Sequence, residues 1–146
     1  MYTITEVELT DPALVELFGR LSASLGHSKE EETSKLQFTQ GGLQLAVVAW
    51  HDGKAVGCGL LRQEETGVAE LKRVYSDQAG VGSAILQYLQ HAAQQRGYQK
   101  LLAAVRLTNS KAINFFFAKG FKKCASYGKY RYSSQMLCLE KALISS

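Results

Sequence analysis

The 146-residue sequence is poor in several things that would define other kinds of protein. It has one proline, one tryptophan and three cysteines. Cys58, Cys124 and Cys138 are odd in number, widely spread and form no CxxC pair, which argues against a disulfide framework and against a zinc site. His27, His51 and His91 are scattered without metal-ligand spacing, so no metal is expected. No apolar run reaches membrane-spanning length. The opening Met1-Tyr2-Thr3-Ile4-Thr5-Glu6 lacks both the basic flank and the apolar stretch of a signal peptide, so a cytoplasmic location is the expectation. There is no repeat, low-complexity stretch or linker, and one domain over residues 1–146 is expected.

What is present is a mixed, apolar-rich chain with net charge +4 and 46% hydrophobic residues. Basic residues thicken in the last third, at Lys119, Lys122, Lys123, Lys129 and Arg131. Nucleic acid or a small polyanionic cofactor would each suit that charge. No helix carries a dense basic stripe and no RNA-binding signature occurs, which disfavours nucleic acid.

Alternation over Thr3–Leu9 predicts a first strand. Asp11-Pro12 is a helix start, followed by Leu14, Leu17, Phe18, Leu21 and Leu25 at helical spacing, and Gly26 ends the run. Ser28 with Glu31 reads as a capping box opening a second helix to about Phe38. Leu43–His51, the Asp52-Gly53 turn and Lys54–Arg62 read as a hairpin, and Val68–Tyr75 as the next strand. A helix from Val81 to Gly97 follows. A strand over Leu101–Leu107, a helix capped by Asn109 or Ser110 and closed by Gly120, and strands around Phe121–Tyr127 and Ser134–Lys141 complete the chain. The order β-α-α-β-β-β-α-β-α-β-β predicts an α/β fold: a mixed six- to seven-stranded sheet with helices on both faces.

The segment with most chemical content is a strand that enters Ala79-Gly80-Val81-Gly82 and then a helix. Glycines let a ligand approach the backbone, and a helix N-terminus offers unpaired N–H groups to a pyrophosphate. Position 85 is Ile, so the dinucleotide fingerprint is not matched, and no Gly-Lys-Ser/Thr follows as in a nucleotide-binding P-loop.

The ordered set Glu70-Leu71-Lys72-Arg73-Val74-Tyr75, Gly80-Val81-Gly82, Arg96-Gly97-Tyr98, Asn109-Ser110-Lys111-Ala112-Ile113-Asn114-Phe115-Phe116 and Lys119-Gly120-Phe121 resembles the core of the Gcn5-related N-acetyltransferases (GNAT). The tail Tyr127-Gly128-Lys129-Tyr130 through Met136–Lys141 is similar to a small bacterial branch of that superfamily. The resemblance covers about residues 68–141, whereas the N-terminal part fits in element order only.

The resemblance implies an N-acetyltransferase that passes the acetyl group of acetyl-CoA to a primary amine of a small molecule or peptide in a ternary complex. The alternative is a non-catalytic acyl-CoA sensor of the same fold. A monomer or homodimer fits either. The pantetheine arm would pair with Val74 and Tyr75 in a V between two parallel strands. The pyrophosphate would sit on Gln78, Ala79, Gly80, Val81, Gly82 and Ser83, with Asn109 and Phe116 against the arm. Glu70 is the candidate general base, since an ammonium must lose a proton before it attacks.

Two departures stand out. The family's usual proton-donating tyrosine is replaced by Phe116, which cannot donate; either Tyr75, Tyr127 or Tyr130 serves instead, or the thiolate, a fair leaving group, departs without a proton. The turn is short, and Asp77 falls where a basic or amide residue is usual. A carboxylate there would repel a pyrophosphate unless it points away. The acidic run Glu30-Glu31-Glu32 is either a solvated helix face or an attraction for a cationic acceptor.

Overall fold

A computed structural model describes residues 2–25 and 42–143. The second helix expected over 28–38, His27 and the Glu30–Glu32 run lie outside the described residues.

Strand β1 (Thr3–Val7) leads into helix α1 (Pro12–Leu25). Asp11 caps α1 as its position before proline predicts, its Oδ1 accepting from the Ala13 N–H at 2.9 Å. Strands β2 (Leu43–His51), β3 (Lys54–Glu65) and β4 (Val68–Ser76) form an antiparallel meander. Asp52 (φ 51°) and Gly53 (φ 77°) are both left-handed, the requirement of the tight hairpin turn that Asp-Gly signals. Helix α2 (Val81–Gln95), strand β5 (Lys100–Arg106), helix α3 (Ser110–Ala118) and strands β6 (Lys122–Lys123) and β7 (Met136–Ala142) follow. The expected strand over 121–127 shrinks to two residues, and a 3-10 turn forms at Gly128–Tyr130.

All strands join one seven-stranded sheet in the order β1-β2-β3-β4-β5-β7-β6. This is the mixed α/β sheet that the element order predicts. Its two faces carry separate cores. On one, Leu14, Leu17 and Phe18 of α1 pack on Ala46, Val48, Cys58 and Leu60. On the other, Val81, Ile85 and Leu89 of α2 and Phe116 of α3 pack on Val47, Leu71, Leu101 and Leu139. Period-two alternation sorts β4 between them: Ala69 and Leu71 join the α2 side, so Glu70 and Lys72 face α1.

Glycines 57 and 59 on β3 let α2 settle close to the sheet. A Cβ at 57 would lie 2.7 Å from Val81 Cγ1 and 2.9 Å from the Tyr75 carbonyl oxygen; one at 59 would lie 2.8 Å from Ile85 Cγ2. That close seat fixes where the N-terminus of α2 emerges beside the end of β4.

Two irregularities in β4 shape the site. Its parallel pairing with β5 covers only Val68–Lys100, Ala69–Leu101 and Glu70–Leu102. Beyond Glu70 the two strands part, and the sheet opens into a V. The pairing with β3 also slips between Leu60–Lys72 and Cys58–Tyr75, where Arg73 adopts φ 53°. This is a β-bulge, which re-aims a side chain that alternation would send to the other face.

Candidate active site

The opening between β4 and β5 holds a cavity of about 350 Å³ lined by residues from both sides of the sheet. Val74 and Ala103–Arg106 form its walls, Asn109, Ala112 and Phe116 close it on the α3 side, and Leu21, Lys129 and Tyr130 reach it from the α1 side. A slot that is apolar along Val74 and Ala103–Val105 and basic on the α1 side can hold a slender chain on one side and a second, polar molecule on the other.

At the C-terminal end of β4 the chain turns through Gly80 (φ 85°) into α2. Gly80 is the N-cap and provides no side-chain cap, so the first amides of α2, at Gly82 and Ser83, meet no acceptor from the helix itself. The carbonyl of Gly80 accepts from Ala84 N–H, which aligns this first turn. Asp77 does not face it: its carboxylate takes a 2.8 Å hydrogen bond from Arg20 of α1, on the other side of the sheet. The anticipated repulsion is thus neutralised by an ion pair.

Asn109 is placed for the cap foreseen for it and stands at the cavity, its Oδ1 accepting from the Ala112 N–H of α3 at 3.1 Å. Phe116 is buried in the cavity wall, edge-on to Phe121 at 5.0 Å between ring centroids. It packs and cannot donate. Tyr75 packs against the α1 core and does not line the cavity.

Glu70, expected as a base on the cleft wall, is fully buried beneath the point where the V begins and is not part of the cavity lining. Its Oε1 accepts from Arg62 at 3.1 Å, its Oε2 accepts from the Tyr127 hydroxyl at 2.6 Å, and Lys72 Nζ stands 3.7 Å away. Arg62 also binds Glu64 at 2.5 Å. Tyr127 therefore has its proton committed to Glu70, and burial, reinforced by that carboxylate, holds its phenol far above the usual range. It is a poor acid for a leaving group.

The groups that do meet the cavity are Lys72 and Tyr130. Lys72 Nζ donates to the Tyr130 hydroxyl and lies over the Tyr130 ring at 5.0 Å from its centroid. Burial pushes the Lys72 ammonium down to about 8, with Glu70 opposing the shift and Lys129, Arg62 and Arg73 adding to it. A lysine with that value both takes and gives a proton near neutral pH. Only one feature in the sequence pointed to it: Lys72 lies two residues from Glu70 and so shares its face of the strand.

The shift has a consequence for stability. Below pH 8 Lys72 is charged in both states, so the cost of burying its ammonium is fully present. From about 8 to 10.5 the unfolded chain holds the proton that the folded chain has lost, so this group adds stability as pH rises. Cys58, raised to about 12 by burial, and Cys124, raised to about 11 by burial, work the other way above pH 9. A comparison of variants isolates the lysine. Lys72→Met is expected to be more stable than the parent by roughly 1–3 kcal/mol below pH 8, with the gap closing toward pH 10.5 in urea titrations. A gap independent of pH would mean that Lys72 titrates normally.

Among the described residues no group of three His, Cys, Asp or Glu side chains could hold a metal ion. His51 stands 3.4 Å from Asp52, and His91 borders a groove beside α2. No described helix is long and apolar enough to cross a membrane.

A split mixed sheet, a bulged strand beside the split and a bare helix N-terminus are the arrangement that the resemblance to the GNAT class implies. The profile of the acetyltransferase (GNAT) family matches residues 12–121, and the chain belongs to that family. A Bacillus subtilis relative, the uncharacterized N-acetyltransferase YsnE, is 26% identical over 101 residues, covering 65% of this chain and 67% of the relative. A solved structure from Klebsiella pneumoniae, assigned as an acyl-CoA N-acyltransferase, is 28% identical with a TM-score of 0.84 over 99% of both chains. A GNAT acetyltransferase from Elizabethkingia anophelis, solved with acetyl-CoA bound, shares the fold at 18% identity, with a TM-score of 0.74 over 97% of this chain and 98% of that one.

Proposed function

We propose that this protein transfers the acetyl group of acetyl-CoA to a primary amine by direct attack within a ternary complex. The observation that carries this reading is the slot between β4 and β5, lined from both sides of the sheet, on the strand that leads through Gly80 into the uncapped N-terminus of α2. The pantetheine arm lies between Val74 and Ala104, against Asn109 and Phe116. The pyrophosphate takes the amides of Gly82 and Ser83, as anions do at helix N-termini. The acetyl-CoA held by the Elizabethkingia relative supports the donor.

In this reading the amine enters from the α1 side and attacks the thioester carbonyl carbon. Neutral Lys72, roughly a tenth of the population at pH 7 for a value near 8, takes the amine's proton. As the C–S bond breaks, the sulfur takes a proton from the Tyr130 hydroxyl while Lys72 returns one to it through their hydrogen bond. Burial and Glu70 raise this phenol as well, so Tyr130 acts as a concerted relay that never stands as a free phenolate. Tyr127, committed to Glu70, offers no such relay. The proton lost by the amine thus ends on the thiol, and Lys72 returns to its neutral form. Glu70 is a positioning residue, holding Lys72 and Tyr127 from below. A sensor without turnover was suggested by Phe116 and the short turn. Tyr130 and the Arg20–Asp77 pair answer both points, and the transferase is the reading supported.

Acetyl-CoA at a hundredfold excess over its Kd is expected to raise Tm by about 5–10 °C. Gly82→Val is expected to weaken that binding at least tenfold. A Cβ at 82 meets nothing of the protein nearer than Ser76 Oγ at 3.5 Å, so the apo fold survives and the loss reads as crowding of the ligand. Unchanged affinity in calorimetry would place the cofactor elsewhere.

A further inference from the structure

The bulge in β4 does more than open the sheet. In an unbroken strand Arg73 would follow Leu71 to the α2 side; instead its guanidinium lies over the Phe18 ring of α1, with Cζ 4.7 Å from the centroid. Two consecutive residues, Lys72 and Arg73, thereby face α1. Lys129, from the 3-10 turn before β7, completes the group: its Nζ is 5.3 Å from the centroid of the same Tyr130 ring that Lys72 contacts. All three line the cavity, together with Arg106 at its mouth, and none of the described lining residues is acidic. The nearby carboxylates, Glu70 and Glu64, lie behind the lining and are bridged by Arg62.

Gathering like charges costs energy. Burial, together with the repulsion of Arg73 and Arg62, lowers the hold of Lys129 on its proton, while Glu70 raises it. A left-handed non-glycine residue adds local strain, the kind kept where a side chain must be aimed. A guanidinium laid on an aromatic face presents its N–H fork in a fixed plane, the geometry that binds a carboxylate with two parallel hydrogen bonds.

We infer that the acceptor is an amine that also bears a carboxylate, held by Arg73 and Lys129 on the α1 side of the slot so that its amino group reaches Lys72. This rests on the transferase reading and names its acceptor class. The arrangement also serves the chemistry, since the neighbouring cations disfavour the ammonium form of the bound amine and favour the nucleophilic one.

The test follows thiol release from saturating acetyl-CoA with matched acceptors whose amines titrate in the same range: 4-aminobutyrate, 4-aminobutyramide and 1,4-diaminobutane. The carboxylate-bearing members are expected to show kcat/KM at least tenfold higher. Lys129→Ala is expected to erase that preference mainly through KM, Lys129→Arg to retain it, and the acetyl-CoA thermal shift to stay the same in both. Preference for the amide or the diamine overturns the inference and leaves the transferase intact, as does a preference that survives in Lys129→Ala. No turnover with any acceptor, while acetyl-CoA still raises Tm, also overturns it. If acetyl-CoA fails to stabilise the chain at all, the parent reading falls with it.

Discussion

Replacing Arg62 by methionine is expected to destabilise the fold by about 3–5 kcal/mol, lowering Tm by on the order of 10 °C. The side chains of Arg62 and Glu70 are 12% and 0% exposed, and they meet across β3 and β4 at directly paired positions. A buried ion pair contributes little net stability compared with well-packed apolar residues, because desolvating both charges offsets their attraction. Breaking it from one side is different: Glu70 keeps its desolvation cost and loses its closest cation. The Tyr127 hydroxyl and Lys72 remain near it, which places the expected loss toward the lower end. Arg62→Met combined with Glu70→Gln is expected to recover most of the stability. The coupling energy from the four-way comparison by urea unfolding measures the pair itself. If Arg62→Met unfolds at the parent's midpoint, Glu70 is held by its other neighbours and the cluster does not depend on arginine.

How much of this could be read from the residues alone varies along the chain. The Asp-Gly hairpin, the Asp11-Pro12 start of α1 and the Asn109 cap of α3 were legible because each rests on contacts within a few positions. The split between β4 and β5 came only from the family resemblance, since no local pattern records where two distant strands stop pairing. The strand expected over 121–127 failed for a related reason. Lys122 and Lys123 pair in register with β7 and the Cys124 N–H still donates to the Cys138 carbonyl, but beyond them the chain leaves the sheet edge: Tyr127 turns in to Glu70 and Tyr130 to the cavity. The bulge at Arg73 was invisible. Arginine has no preference for φ 53°, so the slip is imposed by the pairing with β3 and the packing of Phe18. Glu70 was singled out as a candidate base, but its surroundings depend on Arg62 and Tyr127, which come from another strand and a loop. A carboxylate on a strand looks the same in sequence whether it lines a cleft or lies beneath one.

That ambiguity is what the largest kinetic effect resolves. Lys72→Met is expected to lower kcat by about 10²–10⁴, the range of a general acid–base group, with acetyl-CoA affinity nearly unchanged. The parent's kcat is expected to rise with pH and level off above about 8, where Lys72 becomes neutral. Glu70→Gln separates the two candidate bases. If the carboxylate took the proton itself, the amide would remove the rising limb altogether. If Lys72 takes it, the limb persists and moves to lower pH, because the Glu70 charge is what holds the lysine's proton on against burial. Tyr130→Phe makes a third case: the limb stays where Lys72 puts it, while the rate falls on acetyl-CoA and recovers on an acetyl donor whose thiol is more acidic and leaves without a proton. A flat pH profile in the parent, or a Glu70→Gln variant without any rising limb, would remove Lys72 from the chemistry and return the base to Glu70. Because Glu70 is enclosed, that outcome would further require a water path from its carboxylate to the slot, past Tyr127.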